Sequence, residues 1–284
     1  MKIGLVLEGG AMRGMFTAGV LDVMMENNIH IDGAVGVSAG AVFGCNYKSK
    51  QIGRSIRYNT KYCSDPRYVS WRSLIKTGDL YNARFCYKEI PESLDPFDVK
   101  TFSENPMEFY VVATDVYTGK PVYHLCTDGG DRDIQWMRAS ASMPLVSRTV
   151  SVDGYDLLDG GVSDSIPIEW FRSQGYKRNI VILTRPEDYR KKKTSAALAM
   201  RISLRKYPSL VDAMLKRHEM YNSTLDKLKE ICKEGDTLVI QPPSALEIKR
   251  VEKNPDKLLA VYMLGRSIAK ERMEEIKGFT EAVK

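Results

Sequence analysis

Residues 2–40 read KIGLVLEGGAMRGMFTAGVLDVMMENNIHIDGAVGVSAG, and the changes of period along them decide the fold. Lys2–Leu7 is a short apolar run closed by Glu8 and then Gly9-Gly10. From Arg13 to Glu26 the period becomes helical, with Phe16, Val20, Val23 and Met24 on one face. Gly33–Val37 is a second apolar run of strand length, and Ala39–Lys50 continues as a helix. Strand, turn, helix, strand, turn, helix within fifty residues predicts an α/β protein, a parallel sheet with helices packed on it.

Outward from this start the pattern loosens and then recovers. Residues 51–108 are expected to form helices and loops over one end of the sheet, with seven aromatics between Tyr58 and Tyr87. Phe109–Thr114 is a strong strand, and Thr118-Gly119-Lys120 turns it back into Pro121–Leu125 as a hairpin. Asp131–Ala141 is helical. Asp153-Gly154 between Thr149–Val152 and Tyr155–Leu158 is the signal of a type I′ hairpin turn. Ile180–Thr184 is another buried strand. Helical pattern then dominates over about 194–232 and 255–278, with a late strand at Thr237–Ile240. The expected division is 1–185 and a mainly helical 186–284, too thin in apolar residues to fold alone and therefore packed on the core.

Composition narrows the class. Of 284 residues, 43% are hydrophobic and 27% charged, which excludes a disordered chain, collagen and a disulfide-dense miniature scaffold. Five cysteines, none closer than eighteen residues to the next, fit neither a CxxC metal clip nor a disulfide framework, so reduced thiols and no metal are expected. No stretch approaches the roughly 18 apolar residues of a membrane span, and the N-terminal run is too short for a secretion signal. The expectation is a cytoplasmic protein. The net charge of +6 is uneven: residues 185–284 carry 22 Lys and Arg against 15 Asp and Glu, the rest 20 against 21. Arg190-Lys191-Lys192-Lys193 lies in the excess. A basic segment at 185–229 suits either a solvated helical face or peripheral contact with an anionic membrane. Its few aromatics and lack of a binding motif speak against nucleic acid.

Three short motifs carry chemistry. Gly36-Val37-Ser38-Ala39-Gly40 fits G-x-S-x-G between a strand and a helix, the setting of a nucleophile elbow. The turn exposes the serine hydroxyl at a helix N-terminus, and Gly36 and Gly40 remove the clash of residues two before and two after it. Gly9-Gly10-Ala11-Met12-Arg13-Gly14 also follows a strand and opens a helix, so its bare amides form an anion cradle. That cradle serves an oxyanion hole or, with Asp32 eighteen residues past Gly14, a dinucleotide pyrophosphate. The third motif, Asp159-Gly160-Gly161, puts a carboxylate at a strand end on a tight turn. Cradle, serine and acid together are the parts of an acyl-transfer site.

The order EGGAMRG, GVSAG and DGG, with VVATDVYTG and RASASMPLV ahead of the DGG, resembles the patatin-like phospholipase family over residues 3–185. The resemblance implies a three-layer α/β/α sandwich with a basic helical C-terminal extension. It implies hydrolysis of lipid acyl esters by a Ser–Asp dyad, with no histidine and no cofactor. By motif, Ser38 is the nucleophile, Asp159 the base, Gly160 and Gly161 its turn, and Gly9–Gly14 the oxyanion loop with Arg13 its basic member. Ala11 stands where the fuller family pattern has glycine, which matters if the loop requires positive φ there. The aromatics of 58–87 then line an acyl groove, form a lid, or make a satellite core. Two other readings stay open: a Ser38–Asp159–His218 triad, and a non-catalytic lipid- or protein-binding module on the same scaffold.

Overall fold

The computed structural model describes residues 1–281. Its first elements follow the period changes of the sequence: β1 (Ile3–Leu7), α1 (Gly14–Glu26), β2 (Gly33–Val37) and α2 (Ala39–Lys48). Then come α3 (Arg54–Tyr62), α4 (Trp71–Thr77), a π-helical segment at Phe85–Leu94 with Pro91 inside it, and α5 (Val99–Glu104). The hairpin is β3 (Glu108–Asp115) and β4 (Pro121–Cys126), followed by α6 (Asp131–Ser140), β5 (Val150–Val152) and β6 (Tyr155–Asp159). The remainder is α7 (Ile168–Ser173), β7 (Arg178–Ile182), α8 (Ala197–Ser203), α9 (Pro208–Lys233), β8 (Thr237–Ile240), α10 (Pro255–Glu271) and α11 (Met273–Glu281).

The described residues form one eight-stranded sheet in the order β5-β6-β3-β2-β1-β7-β8, with β4 beside β3. From β3 to β8 the strands run parallel; β4, β6 and β5 are antiparallel additions. β1 and β2 are buried at every position, as strands covered on both faces must be. Their alternation sorts side chains into two cores. Leu5, Leu7, Ala34, Ile180 and Ile182 join Phe16, Val20 and Tyr262 of α1 and α10. Val6, Val35, Val37 and Val181 meet Ile168 and Phe171 of α7 and Tyr221 and Leu225 of α9. Helices on both faces make the architecture an α/β/α sandwich. Each fully buried side chain of this size contributes on the order of 1.5–3 kcal/mol.

The C-terminal part is woven into these layers. β8 extends the sheet beyond β7, and α10 lies against α1 so closely that backbones touch. A Cβ on Gly265 would stand 2.1 Å from the Phe16 carbonyl oxygen, and one on Gly19 equally close to that of Tyr262. The turn at Asp153-Gly154 has φ of 52° and 80°, the paired positive values of type I′.

Several boundaries differ by a residue or two from the sequence expectation, and three differences have a visible cause. β7 begins two residues earlier, because Arg178 pairs with Ile3 although its charge hides it from an apolar-run reading. The helix expected over 194–232 is two, since Pro208 cannot continue α8 and instead opens α9 at its first turn. Likewise 255–278 divides at Arg272 between α10 and α11.

Candidate active site

The register of β3 explains why Ser38 and Asp159, 121 residues apart, are neighbours. One edge of β3 is taken by β4 along Phe109–Thr114. The other edge is shared: β2 runs parallel to β3 and ends with Val37 opposite Val112, while β6 runs the other way and ends with Asp159 opposite Ala113. Two strands therefore meet head to head on one edge, and the residues at the junction face each other. Ser38 Oγ donates to Asp159 Oδ2 at 2.7 Å, and both residues are buried.

Ser38 sits at φ 54°, ψ −119°, a sparsely populated conformation that costs on the order of 1–3 kcal/mol. It is held from several sides. Its amide donates to Ser140 Oγ at 2.8 Å. Its carbonyl accepts from the amides of Ala41 and Val42 and so starts α2. The flanking glycines are sterically required: a Cβ on Gly36 would stand 2.5 Å from the Gly40 oxygen, and one on Gly40 2.4 Å from that of Leu7.

Asp159 is gripped at each polar atom. Oδ1 accepts from the Gly161 amide at 2.8 Å, within the 3₁₀ turn Gly160–Val162. Its own amide donates to the Ser142 carbonyl at 2.8 Å, and its carbonyl accepts from Thr114 Oγ1 at 2.8 Å. Burial pushes its carboxyl above the ordinary aspartate value; the Arg217 guanidinium and the Ser38 and Gly161 hydrogen bonds pull the other way and offset only part of it. Ser140, Ser142 and Thr114 were not singled out from the sequence. The first two lie within RASAS, where a run of small polar residues was the available signal.

The loop Gly9–Gly14 lies beside this pair, and the position of a Cβ on Gly9 would be 3.0 Å from Ser38 Cβ. Ala11–Arg13 form a 3₁₀ turn in which the Arg13 amide donates to the Gly10 carbonyl, and the Gly14 amide to those of Ala11 and Met12. Among the described residues the amides of Gly9, Gly10, Ala11 and Met12 have no acceptor, whereas those of Arg13 and Gly14 are taken, which narrows the amides open to an anion to the first four of the loop. Ala11 has φ 49°. The loop does require the left-handed region there, and alanine accepts it at a cost of roughly 1–2 kcal/mol. The Met12 side chain is buried.

Ser38, Ala11 and Met143 stand at the border of two cavities of opposite character. One, of about 120 Å³, is mainly apolar and is walled by Val42, Phe43, Tyr58, Tyr68 and Met137. Tyr81 and Tyr87 complete that wall, so much of the aromatic cluster of 58–87 faces this cavity, whereas Trp71 is 72% exposed. The other cavity, of about 710 Å³, runs from Asp159 between Arg13, Arg185, Lys191, Arg217 and Arg250. Of these cations only Arg13 was legible as a site residue beforehand, as the basic member of the oxyanion loop; for Arg185, Lys191, Arg217 and Arg250 only the basic composition of the C-terminal part was.

His218 lines the second cavity but shares its Nδ1 with the Leu215 carbonyl at 3.0 Å. His124 pairs with Asp133, and His30 is an exposed neighbour of Asp32. Among the described residues no imidazole is hydrogen-bonded to Ser38 or Asp159. Asp32 accepts from the Ile3 amide at 2.7 Å. That is the opposite end of β1 from Gly9–Gly14, where no ligand on the loop would meet it.

A family model described as "Patatin-like phospholipase" matches residues 5–171, and a second, described as "Domain of unknown function (DUF6363)", matches residues 207–281. The chain is 36% identical over 196 residues to the uncharacterized protein YjjU of Escherichia coli K12, covering 65% of this chain and 52% of that one. It is 26% identical over 185 residues to patatin-like phospholipase domain-containing protein 7 of Rattus norvegicus, covering 63% of this chain and 13% of the relative. The chain thus spans about half the length of the first of these relatives and a small part of the second. Among solved structures it is similar to VipD from Legionella pneumophila, with a TM-score of 0.48 and 11% identity, covering 96% of this chain and 67% of that one.

Proposed function

The chain belongs to the patatin-like phospholipase family, and on that premise we propose that it is a lipid acyl hydrolase working through Ser38 and Asp159. The observation that carries the reading is the 2.7 Å hydrogen bond from Ser38 Oγ to a buried carboxylate, made at a strained elbow. In the proposed reaction Oγ attacks the ester carbonyl carbon as its proton passes to Asp159 Oδ2. The negative charge on the carbonyl oxygen is met by the open amides of Gly9–Met12. Asp159 then gives the proton to the leaving alcohol, and an acyl-Ser38 ester remains. Water, deprotonated by Asp159, cleaves that ester and restores the serine. A raised carboxyl value favours the role, since a more basic aspartate is a better match for the serine proton. The apolar cavity is near the size that holds one benzene ring, roughly 150 Å³, so it suits the reacting end of an acyl chain. We further propose that 185–229 touches an anionic membrane peripherally, as its charge and the exposed Leu198 and Ile202 of α8 suggest.

The test is covalent labelling by a fluorophosphonate, read by intact mass. Wild type is expected to gain one adduct, Ser38→Ala none, and Asp159→Asn to react at least about 100-fold more slowly, the scale of a lost general base. An adduct that persists in Ser38→Ala would overturn the assignment.

A further inference from the structure

The cavity on the far side of Ser38 from the apolar wall is unusual for its unpaired charge. Arg13, Arg185, Lys191, Arg217 and Arg250 line it, and among the described residues none forms an ion pair. The neighbouring Arg190, by contrast, is bound to Asp226 at 2.6 Å. The two carboxylates within reach are already occupied. Glu8 accepts at one oxygen from the Thr184 amide and hydroxyl and at the other from Tyr221 at 2.6 Å; Asp159 holds Ser38 and the Gly161 amide. Arg13 Nε and Arg217 Nε are buried without an acceptor. The Arg217 guanidinium reaches over Gly161, where a Cβ would lie 2.9 Å from Nη2, and so stands beside the catalytic carboxylate. Lys191 Nζ lies 4.6 Å over the Tyr221 ring and Arg185 4.4 Å over that of Tyr189, which orients both without neutralising them. Arg13, Arg185, Lys191 and Arg217 are half-buried and Arg250 stands exposed at the rim; holding like charges together in partial burial without acceptors is costly. The arrangement makes physical sense around an anion with several oxygens.

Three of the five cations lie beyond residue 185 in sequence, on the loop before α8 (Lys191), on α9 (Arg217) and before α10 (Arg250). Arg217 and Arg250 fall within the stretch matched by the domain of unknown function. We propose that this C-terminal segment builds a phosphate-binding pocket for the head group of the substrate, so that the ester cleaved at Ser38 belongs to a lipid bearing a terminal phosphate. The inference rests on the hydrolase reading above and deepens it. A phosphate monoester offers oxygens to several guanidinium groups at once. A zwitterionic head group would bring its ammonium against the same cations, so it is disfavoured. With the acyl carbonyl at Ser38, the chain enters the apolar cavity and the phosphate the cationic one, and the serine stands between them.

The experiment measures binding by calorimetry to full-length Ser38→Ala protein, which removes turnover. The probes are dihexanoyl glycerophosphate, dihexanoyl glycerol, dihexanoyl glycerophosphocholine and inorganic phosphate. The phosphate-bearing lipid is expected to bind at least about tenfold more tightly than either other lipid, and Arg217→Gln and Arg250→Gln each to reduce that preference by roughly tenfold, the scale of one charge-assisted hydrogen bond. Arg217→Lys should restore part of it, which separates lost charge from lost packing, and circular dichroism checks that each variant is folded. Equal affinity for the three lipids would overturn the proposal. So would inorganic phosphate binding as tightly as the phosphate lipid, since the pocket would then serve a free anion. Fluorophosphonate labelling of wild type runs beside these arms. Labelling without head-group preference sinks the pocket and leaves the hydrolase; preference without labelling sinks the hydrolase and leaves the pocket.

Discussion

Asp159 is at once the residue most exposed to physical conflict and the one whose removal is most informative. Its carboxyl is held above the ordinary value by burial, partly opposed by Arg217 and by hydrogen bonds from Ser38 and Gly161. A folded-state value above the unfolded one means that the native chain holds this proton more tightly. Its contribution to stability is therefore present below the unfolded value of ~3.9 and is lost as pH rises through the folded one. Above that folded value the ionised carboxylate weakens the fold while serving the proposed chemistry. Asp159→Asn is thus expected to melt at or above the wild-type temperature at pH 8 while reacting far more slowly with the fluorophosphonate. A drop of several degrees would show that the carboxylate is structural. The labelling rate of wild type should rise with pH across an inflection above the ordinary aspartate value and then level.

At the scale of elements, α8 is the clearest case of a helix with no core of its own. None of its residues is buried, and Leu198 and Ile202, four apart and so on one face, are 72% and 65% exposed. Met200, between them in sequence, lines the cationic cavity. A short helix with this face beside Arg190–Lys193 suits the surface of an anionic bilayer. Leu198→Asp with Ile202→Asp is expected to weaken sedimentation with vesicles containing phosphatidylserine by at least about tenfold, with little change in melting temperature. Undiminished sedimentation would remove α8 from the interaction. Elements also mark what could be read beforehand. Ser38, Asp159 and the Gly9–Gly14 loop were legible because each sits in a local strand–turn pattern whose glycines have a steric cause. Lys191, Arg217 and Arg250 were not. Their convergence depends on where α9 and the loops around it pack, and no periodicity in a basic segment tells an inward lysine from a solvated one. The π-helical segment at Phe85–Leu94 escaped for a similar reason, since Pro91 inside it argues locally against any helix.

At the scale of the whole molecule, the two parts of the chain meet as like charges around one cavity, and the net charge of 185–284 is its source. Lys191 shows the strain. Burial first, and then Arg217, lower it to about 8; Arg13 and Arg250 also face it, and Glu8 opposes them. Burial and then Arg185 lower Arg13 to about 10. For a cation depressed in this way, stability is present above its unfolded value and is lost as pH falls through about 8. An anion in the cavity reverses the loss by favouring the charged lysine. Sulfate, a dianion at both ends of the range, is therefore expected to raise the melting temperature more at pH 7 than at pH 9.5, at ionic strength matched with chloride. Arg217→Gln should flatten that difference. A sulfate effect independent of pH would count against a pocket built on these cations.

The head-to-head meeting of β2 and β6 along β3 also sets a clock. No fragment of the nascent chain that stops short of residue 159 contains the carboxylate, and none that stops short of residue 250 contains the complete cationic wall. Synthesis proceeds from the N-terminus at roughly 5–20 residues per second, so Ser38 is made many seconds before the groups that would activate it and choose its substrate. Until the stretch through β8 and Arg250 has been made, β7 lacks its outer neighbour and, on the proposed reading, the serine lacks the wall that would choose its substrate.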